Sequence, residues 1–251
     1  MLAAGLVLLA VSGCGGPPEV EIQESGRGPV VEWGEPSGDP RGVIILLPGG
    51  GWKRPSVTGF DEQKDAAANL RDDGYATVVI RYSGGPRGFH ELQRIYDRAG
   101  ERHPDLPICA SGISAGGHLA LMLATREPDL ACVVVIAGPA DLTSLAEQGA
   151  ALADRDAVEA FGKDGLAAWS PIRDADRIKA KVLMVLAETD PVNPVEQGTE
   201  LKRVLPSAQL EVLPAGPTLA PLFHGAHLAP DGMNAATQSI VSFLDTSTQG
   251  S

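Results

Sequence analysis

Cys109-Ala110-Ser111-Gly112-Ile113-Ser114-Ala115-Gly116-Gly117-His118 joins an apolar, β-branched segment to an alanine- and leucine-rich one, with a serine set between two glycines. Serine lowers strand and helix propensity slightly, and glycine lowers both further. A join that accepts this cost needs something only these residues supply. Ile108–Ala110 reads as a strand and Ala115–Thr125 as a helix, so Ser114 falls on the turn between them. In open parallel sheets, ligands bind beyond the carboxyl ends of the strands, and that is where this turn lies.

Outward from this point the same rhythm repeats. Short apolar runs at Val43–Leu47, Ala76–Ile80, Ile108–Ala110, Cys132–Ala137, Lys181–Ala187 and Gln209–Leu213 are continuous rather than alternating in polarity, which predicts strands covered on both faces. Helix-like segments separate or follow them at Asp61–Arg71, Glu91–Arg102, Ala115–Thr125, Val195–Leu205 and Asn234–Leu244. Such alternation predicts an α/β fold with a mainly parallel central sheet and helices on both faces. Val20–Ile22 and Val30–Trp33 alternate in polarity and form a candidate antiparallel pair ahead of it. At 251 residues and 43% hydrophobic content, one domain over 21–251 is expected. The longer, charged connection at 141–178 breaks the rhythm and is a candidate small lid or cap.

A net charge of −12 repels phosphate backbones and argues against nucleic acid as a partner. Residues 1–20 read as a leader and tether. Leu2–Val11 is apolar but too short to span a bilayer, and it ends in Val11-Ser12-Gly13-Cys14, which resembles the lipobox of bacterial lipoproteins. That resemblance implies lipid on Cys14, export and a membrane anchor. No Lys or Arg precedes the apolar run, and the alternative is an apolar tail with an incidental cysteine. Cys109 and Cys132 open two of the strand-like runs; neighbouring parallel strands would bring them together as a disulfide, or leave them as two buried thiols.

Two motifs carry chemistry. A serine on a strand-to-helix turn is pushed into a sparsely allowed conformation that lifts its Oγ clear of the sheet. Gly112 and Gly116 are then required where a Cβ would meet the crossing chain. This is the nucleophile-elbow pattern of G-x-S-x-G. Independently, Leu47-Pro48-Gly49-Gly50-Gly51-Trp52 places three glycines directly after a buried strand, where backbone N–H groups can approach a ligand as an oxyanion hole requires. With both motifs in place the sequence resembles the α/β-hydrolase family, in its esterase and lipase branch with an H-G-G-G-type loop and a G-x-S-A-G-G-H elbow, over most of 42–245. The resemblance implies a serine hydrolase, most simply a carboxylesterase acting on small-molecule esters through an acyl-enzyme, with no metal or organic cofactor. It implies oxyanion donors at Gly49, Gly50 and Ala115. Pro48 stands where the family has His, which removes a polar brace but leaves the N–H groups of residues 49 and 50 intact.

The family's chain order of nucleophile, acid, base sets aside His90 and His103 among the five histidines. His118 sits one helical turn past Ser114 and reads as structural. His224, in Phe223-His224-Gly225-Ala226-His227, is the implied base, with His227 as the alternative. Asp190, at the end of the Lys181–Ala187 run and followed by Pro191, is the implied acid; Glu188 is the runner-up. Asp141 in Pro139-Ala140-Asp141-Leu142 resembles a structural aspartate of the branch, and Trp169-Ser170-Pro171-Ile172 resembles its S-P-I segment near the pocket. A serine peptidase or amidase of the same fold, and a non-catalytic ligand-binding lipoprotein, are the alternative functions. Peptidases of this kind often carry a large extra domain, and the sequence shows no second core.

Overall fold

The computed structural model describes residues 20–24, 28–148, 153–214 and 230–249. Cys14, His224 and His227 therefore lie outside the described residues. In chain order the elements are β1 (Val20–Glu24), β2 (Val30–Gly34), β3 (Val43–Leu47), α1 (Val57–Asp72), β4 (Ala76–Arg81), α2 (Gly85–Arg102), β5 (Ile108–Ile113) and α3 (Ala115–Ala124). There follow β6 (Cys132–Ile136), α4 (Leu142–Glu147), α5 (Ala153–Phe161), two 3-10 turns at Lys163–Gly165 and Pro171–Arg177, β7 (Lys181–Ala187), α6 (Glu196–Val204), β8 (Gln209–Leu213) and α7 (Pro230–Thr248).

Among the described residues the strands form one sheet in the order β1-β2-β4-β3-β5-β6-β7-β8. β1 pairs antiparallel with β2, and β2 with β4. Every later pairing, from β4–β3 to β7–β8, is parallel. The strand runs are apolar throughout because their two faces supply two cores. Val43, Ile45 and Leu47 of β3 join Val133 and Val135 of β6 against α2 and α3. Their neighbours Ile44 and Leu46 join Val134 and the α1 and α7 residues Phe60, Leu70, Phe243 and Leu244 on the other side. Each fully buried Ile or Leu contributes roughly 1.5–3 kcal/mol relative to exposure.

Cys109 and Cys132 are register partners on β5 and β6, and a disulfide joins them at a Cα–Cα distance of 4.6 Å. β5 runs three residues beyond the expected end at Ala110. Ser111 and Gly112 are poor strand formers, yet they pair with Leu46 and Leu47 of β3 and with Val134 and Val135 of β6. Two complete neighbouring ladders override the local preference, and the strand delivers the chain straight into Ser114. α2 likewise starts at Gly85 rather than Glu91, its first turn entered through Pro86. The 141–178 connection carries α4 and α5, with Leu142, Leu145 and Ala157 buried in the α2–α3 side core.

Candidate active site

Ser114 sits between β5 and α3 with φ 56° and ψ −123°, a left-handed conformation that costs a non-glycine residue roughly 1–3 kcal/mol. The structure holds it there from several sides. Ser114 N–H donates to the Ile136 carbonyl at the end of β6 (2.8 Å), and the Ser114 carbonyl accepts from His118 N–H (2.9 Å). A Cβ on Gly112 would run into the Gly116 backbone, and one on Gly116 would meet the Leu47 and Pro48 carbonyls. The glycines flank the serine because the chain crosses itself there.

The glycine bend after β3 comes directly against this corner. A Cβ built on Gly49 would lie 3.3 Å from the Ser114 Cβ and 3.3 Å from the Ile113 carbonyl oxygen. Gly51 holds φ 57°, a backbone conformation that favours glycine, and a Cβ there would displace the Asp156 carboxylate on α5. Trp52 follows with φ 55°, an uncommon value for a bulky residue, and is fixed by its indole. Trp52 Nε1–H donates to His118 Nδ1 at 2.9 Å, and Gly85 N–H donates to the Trp52 carbonyl at 2.8 Å.

His118 is therefore a brace. With Nδ1 accepting from an indole that can only donate, the ring proton belongs on Nε2, which donates to the Trp169 carbonyl at 2.7 Å. Burial pushes the His118 pKa down to about 4, against a small opposing pull from the Trp169 carbonyl, so the ring is neutral at neutral pH. It ties the glycine bend, α3 and the Trp169-Ser170-Pro171-Ile172 segment together. Half-buried Phe161 and Trp169 stack at 4.8 Å beside it. Pro48, where the resemblance would place a histidine, offers its carbonyl to the buried Tyr82 hydroxyl at 2.9 Å.

Asp190 is buried, on the turn following β7. Its Oδ1 accepts from Val192 N–H (2.8 Å) and Asn193 N–H (3.0 Å), which orients the carboxylate. Asn193 Nδ2–H in turn donates to the Ala137 carbonyl at 2.7 Å, joining this turn to the end of β6. Glu188 is exposed. Asp141 caps α4, accepting from Thr143 N–H (2.9 Å), Ser144 N–H (3.1 Å) and Ser170 Oγ (3.3 Å), which is a structural duty. His90 is exposed beside Gln93, and His103 meets Glu35 at 3.2 Å. Leu213, the last residue of β8, pairs with Ala187 of β7. The end of β8 therefore lies beside the strand that presents Asp190. Ala115, the first residue of α3, is buried next to Ser114. Among the described residues no cluster of His, Cys, Asp and Glu could hold a metal ion.

Sequence reasoning missed Tyr82, Trp52 and Asn193 as structural supports of the site. It also missed Gln197, whose Oε1 accepts from both Ala140 and Asp141 N–H groups. The only advance signal for Trp52 was its position at the end of the glycine run.

Comparison with known proteins agrees with this architecture. The model of the prolyl oligopeptidase family matches residues 106–246, more than half of the chain. The acylaminoacyl peptidase of Pyrococcus horikoshii superposes with a TM-score of 0.71 at 15% identity, over 91% of this chain and 41% of its own. This chain thus spans well under half of that peptidase. Carboxyl esterase 2 of the mycorrhizal fungus Tuber melanosporum gives a TM-score of 0.68 at 18% identity, over 90% of this chain and 86% of its own. An acetyl ester-xyloside bifunctional hydrolase from Caldicellulosiruptor lactoaceticus gives 0.66 at 17% identity, over 88% and 90%. A search of the curated proteins finds no match to this sequence.

Proposed function

This chain belongs to the prolyl oligopeptidase family, serine hydrolases of the α/β-hydrolase fold, and from that premise we propose that it cleaves small carboxylic esters with Ser114 as the nucleophile. The observation that carries the reading is the approach of the glycine bend to the elbow, with Gly49 packed against Ser114. In the proposed cycle Ser114 Oγ attacks the ester carbonyl as His224 takes its proton, and the Asp190 carboxylate holds the imidazole in the productive tautomer. The N–H groups of Gly49, Gly50 and Ala115 receive the negative oxygen. Collapse of the intermediate expels the alcohol, which leaves with the proton from His224. Water then attacks the acyl-enzyme with His224 again as base, releasing the acid and restoring Ser114.

The family assignment supports a second reading, cleavage of amides or peptides by the same groups. A panel of p-nitrophenyl esters of rising acyl length beside aminoacyl p-nitroanilides separates the two. Ester turnover well above anilide turnover is expected, with Ser114→Ala lowering kcat on the order of 10⁶-fold. Preferred anilide cleavage supports the peptidase reading, and an inactive folded wild type supports a ligand-binding role. His224→Ala should abolish turnover while His227→Ala leaves most of it.

We also propose that the protein is exported and anchored through lipid on Cys14. The Cys109–Cys132 disulfide fits an oxidising compartment. No helix among the described residues is long and apolar enough to cross a membrane. Metabolic labelling with an alkyne fatty acid, lost in Cys14→Ser, is the expected result.

A further inference from the structure

Tyr82, directly after β4, is wholly buried, and its hydroxyl donates to the Pro48 carbonyl at 2.9 Å. That carbonyl belongs to the same peptide group as the Gly49 N–H. A trans peptide is planar, so its carbonyl and its N–H point in opposite directions within one plane, and fixing one aims the other. Accepting a hydrogen bond also polarises the amide and makes its N–H a stronger donor. Pro48 contributes no N–H and no polar side chain with which to steady the bend itself. The plane in question lies over the elbow. A Cβ on Gly116 would be 2.6 Å from the Pro48 oxygen, and one on Gly49 would be 3.3 Å from the Ser114 Cβ. Burial pushes the Tyr82 phenol well above its ordinary value, so the hydroxyl keeps its proton and remains a donor.

We propose that Tyr82 is a positioning residue for acyl transfer, its hydroxyl orienting the Pro48–Gly49 peptide so that the Gly49 N–H faces the oxygen that becomes negative. The proposal rests on the reading of Ser114 as nucleophile and Gly49 as oxyanion donor. It departs from the family resemblance at the one loop position where this chain does, since here the brace comes from β4 and not from a histidine in the bend.

The test compares wild type, Tyr82→Phe, and chains carrying 4-aminophenylalanine or 4-fluorophenylalanine at position 82. The amino group restores a donor; the fluorine is a second donor-free isostere should the Phe variant not fold. Steady-state kinetics on the best nitrophenyl ester, melting temperature, and inhibition by a trifluoromethyl ketone whose hemiketal oxygen mimics the oxyanion are measured together. A misaimed donor should cost less than the 10²–10³ of a deleted one, so kcat is expected to fall about tenfold in both donor-free chains. KM should be unchanged, inhibitor affinity should fall in parallel with kcat, and the amino chain should recover most of both. Unchanged kcat in a folded donor-free chain overturns the proposal. So does a loss carried by KM, or a loss shared equally by the amino chain. An inactive wild type, or activity surviving in Ser114→Ala, fails the hydrolase reading itself and is told apart because it precedes any effect at position 82.

Discussion

Ser114 and Trp52 both hold a positive φ, and both are gripped by neighbours that outlast the local cost. For Ser114 the grip is backbone crossing backbone. Gly116→Ala would force a Cβ into the Leu47 and Pro48 carbonyls, neither of which can swing away as a side chain could. A loss of roughly 2–4 kcal/mol in urea unfolding is expected, with turnover falling because the elbow must shift. For Trp52 the grip runs through His118. The unfolded chain binds a proton on this ring near pH 6.5, and the folded chain does so only near pH 4. Across that window the unfolded state holds more protons. The stability from His118 is therefore fully present above pH 6.5, drains away as pH falls towards 4, and levels off below. The pKa difference corresponds to roughly 3 kcal/mol. Unfolding free energies taken between pH 7 and 4 should fall more steeply in wild type than in His118→Gln. Parallel slopes would remove His118 as a neutral brace.

At the scale of elements, the parallel strands were legible because each is covered on both faces, so its apolar run is continuous and needs no partner to be recognised. The end of β5 was not. Ser111 and Gly112 look like turn residues until β3 and β6 pair with them on either side. The braces were hidden for a related reason. Trp52 and His118 are 66 residues apart, and Pro48 and Tyr82 are 34 apart, so only the crossing of elements reveals their bonds. The serine, the glycines and Asp190 could be singled out as candidates because each sits in a short local pattern. The disulfide belongs to this scale as well. It closes a loop of 23 residues in sequence separation that contains the elbow and α3. Chain-entropy arguments give such a link roughly 3 kcal/mol. The Cys109→Ala, Cys132→Ala double variant should therefore melt about 6–12 °C lower. An unchanged melting temperature would show that packing of β5 against β6 suffices alone.

Across the whole molecule, the fold gathers the Ser114 corner, the glycine bend and the Asp190 turn from the ends of β5, β3 and β7 onto one rim of the sheet. Chemistry at this rim follows from fold topology rather than from any one segment. The overall charge of −12 disfavours the approach of anionic substrates at long range. Esters bearing a free carboxylate should have lower kcat/KM than neutral isosteres, and the gap should narrow as salt is raised. An equal rate at low salt would mean the acidic surface does not reach the site. The most direct test of the account is covalent. Folded protein is treated with a fluorophosphonate, its intact mass measured and the adduct mapped by peptide fragmentation. One prompt adduct on Ser114, absent from Ser114→Ala, is the expected result; no adduct, or an adduct on another residue, would contradict the account.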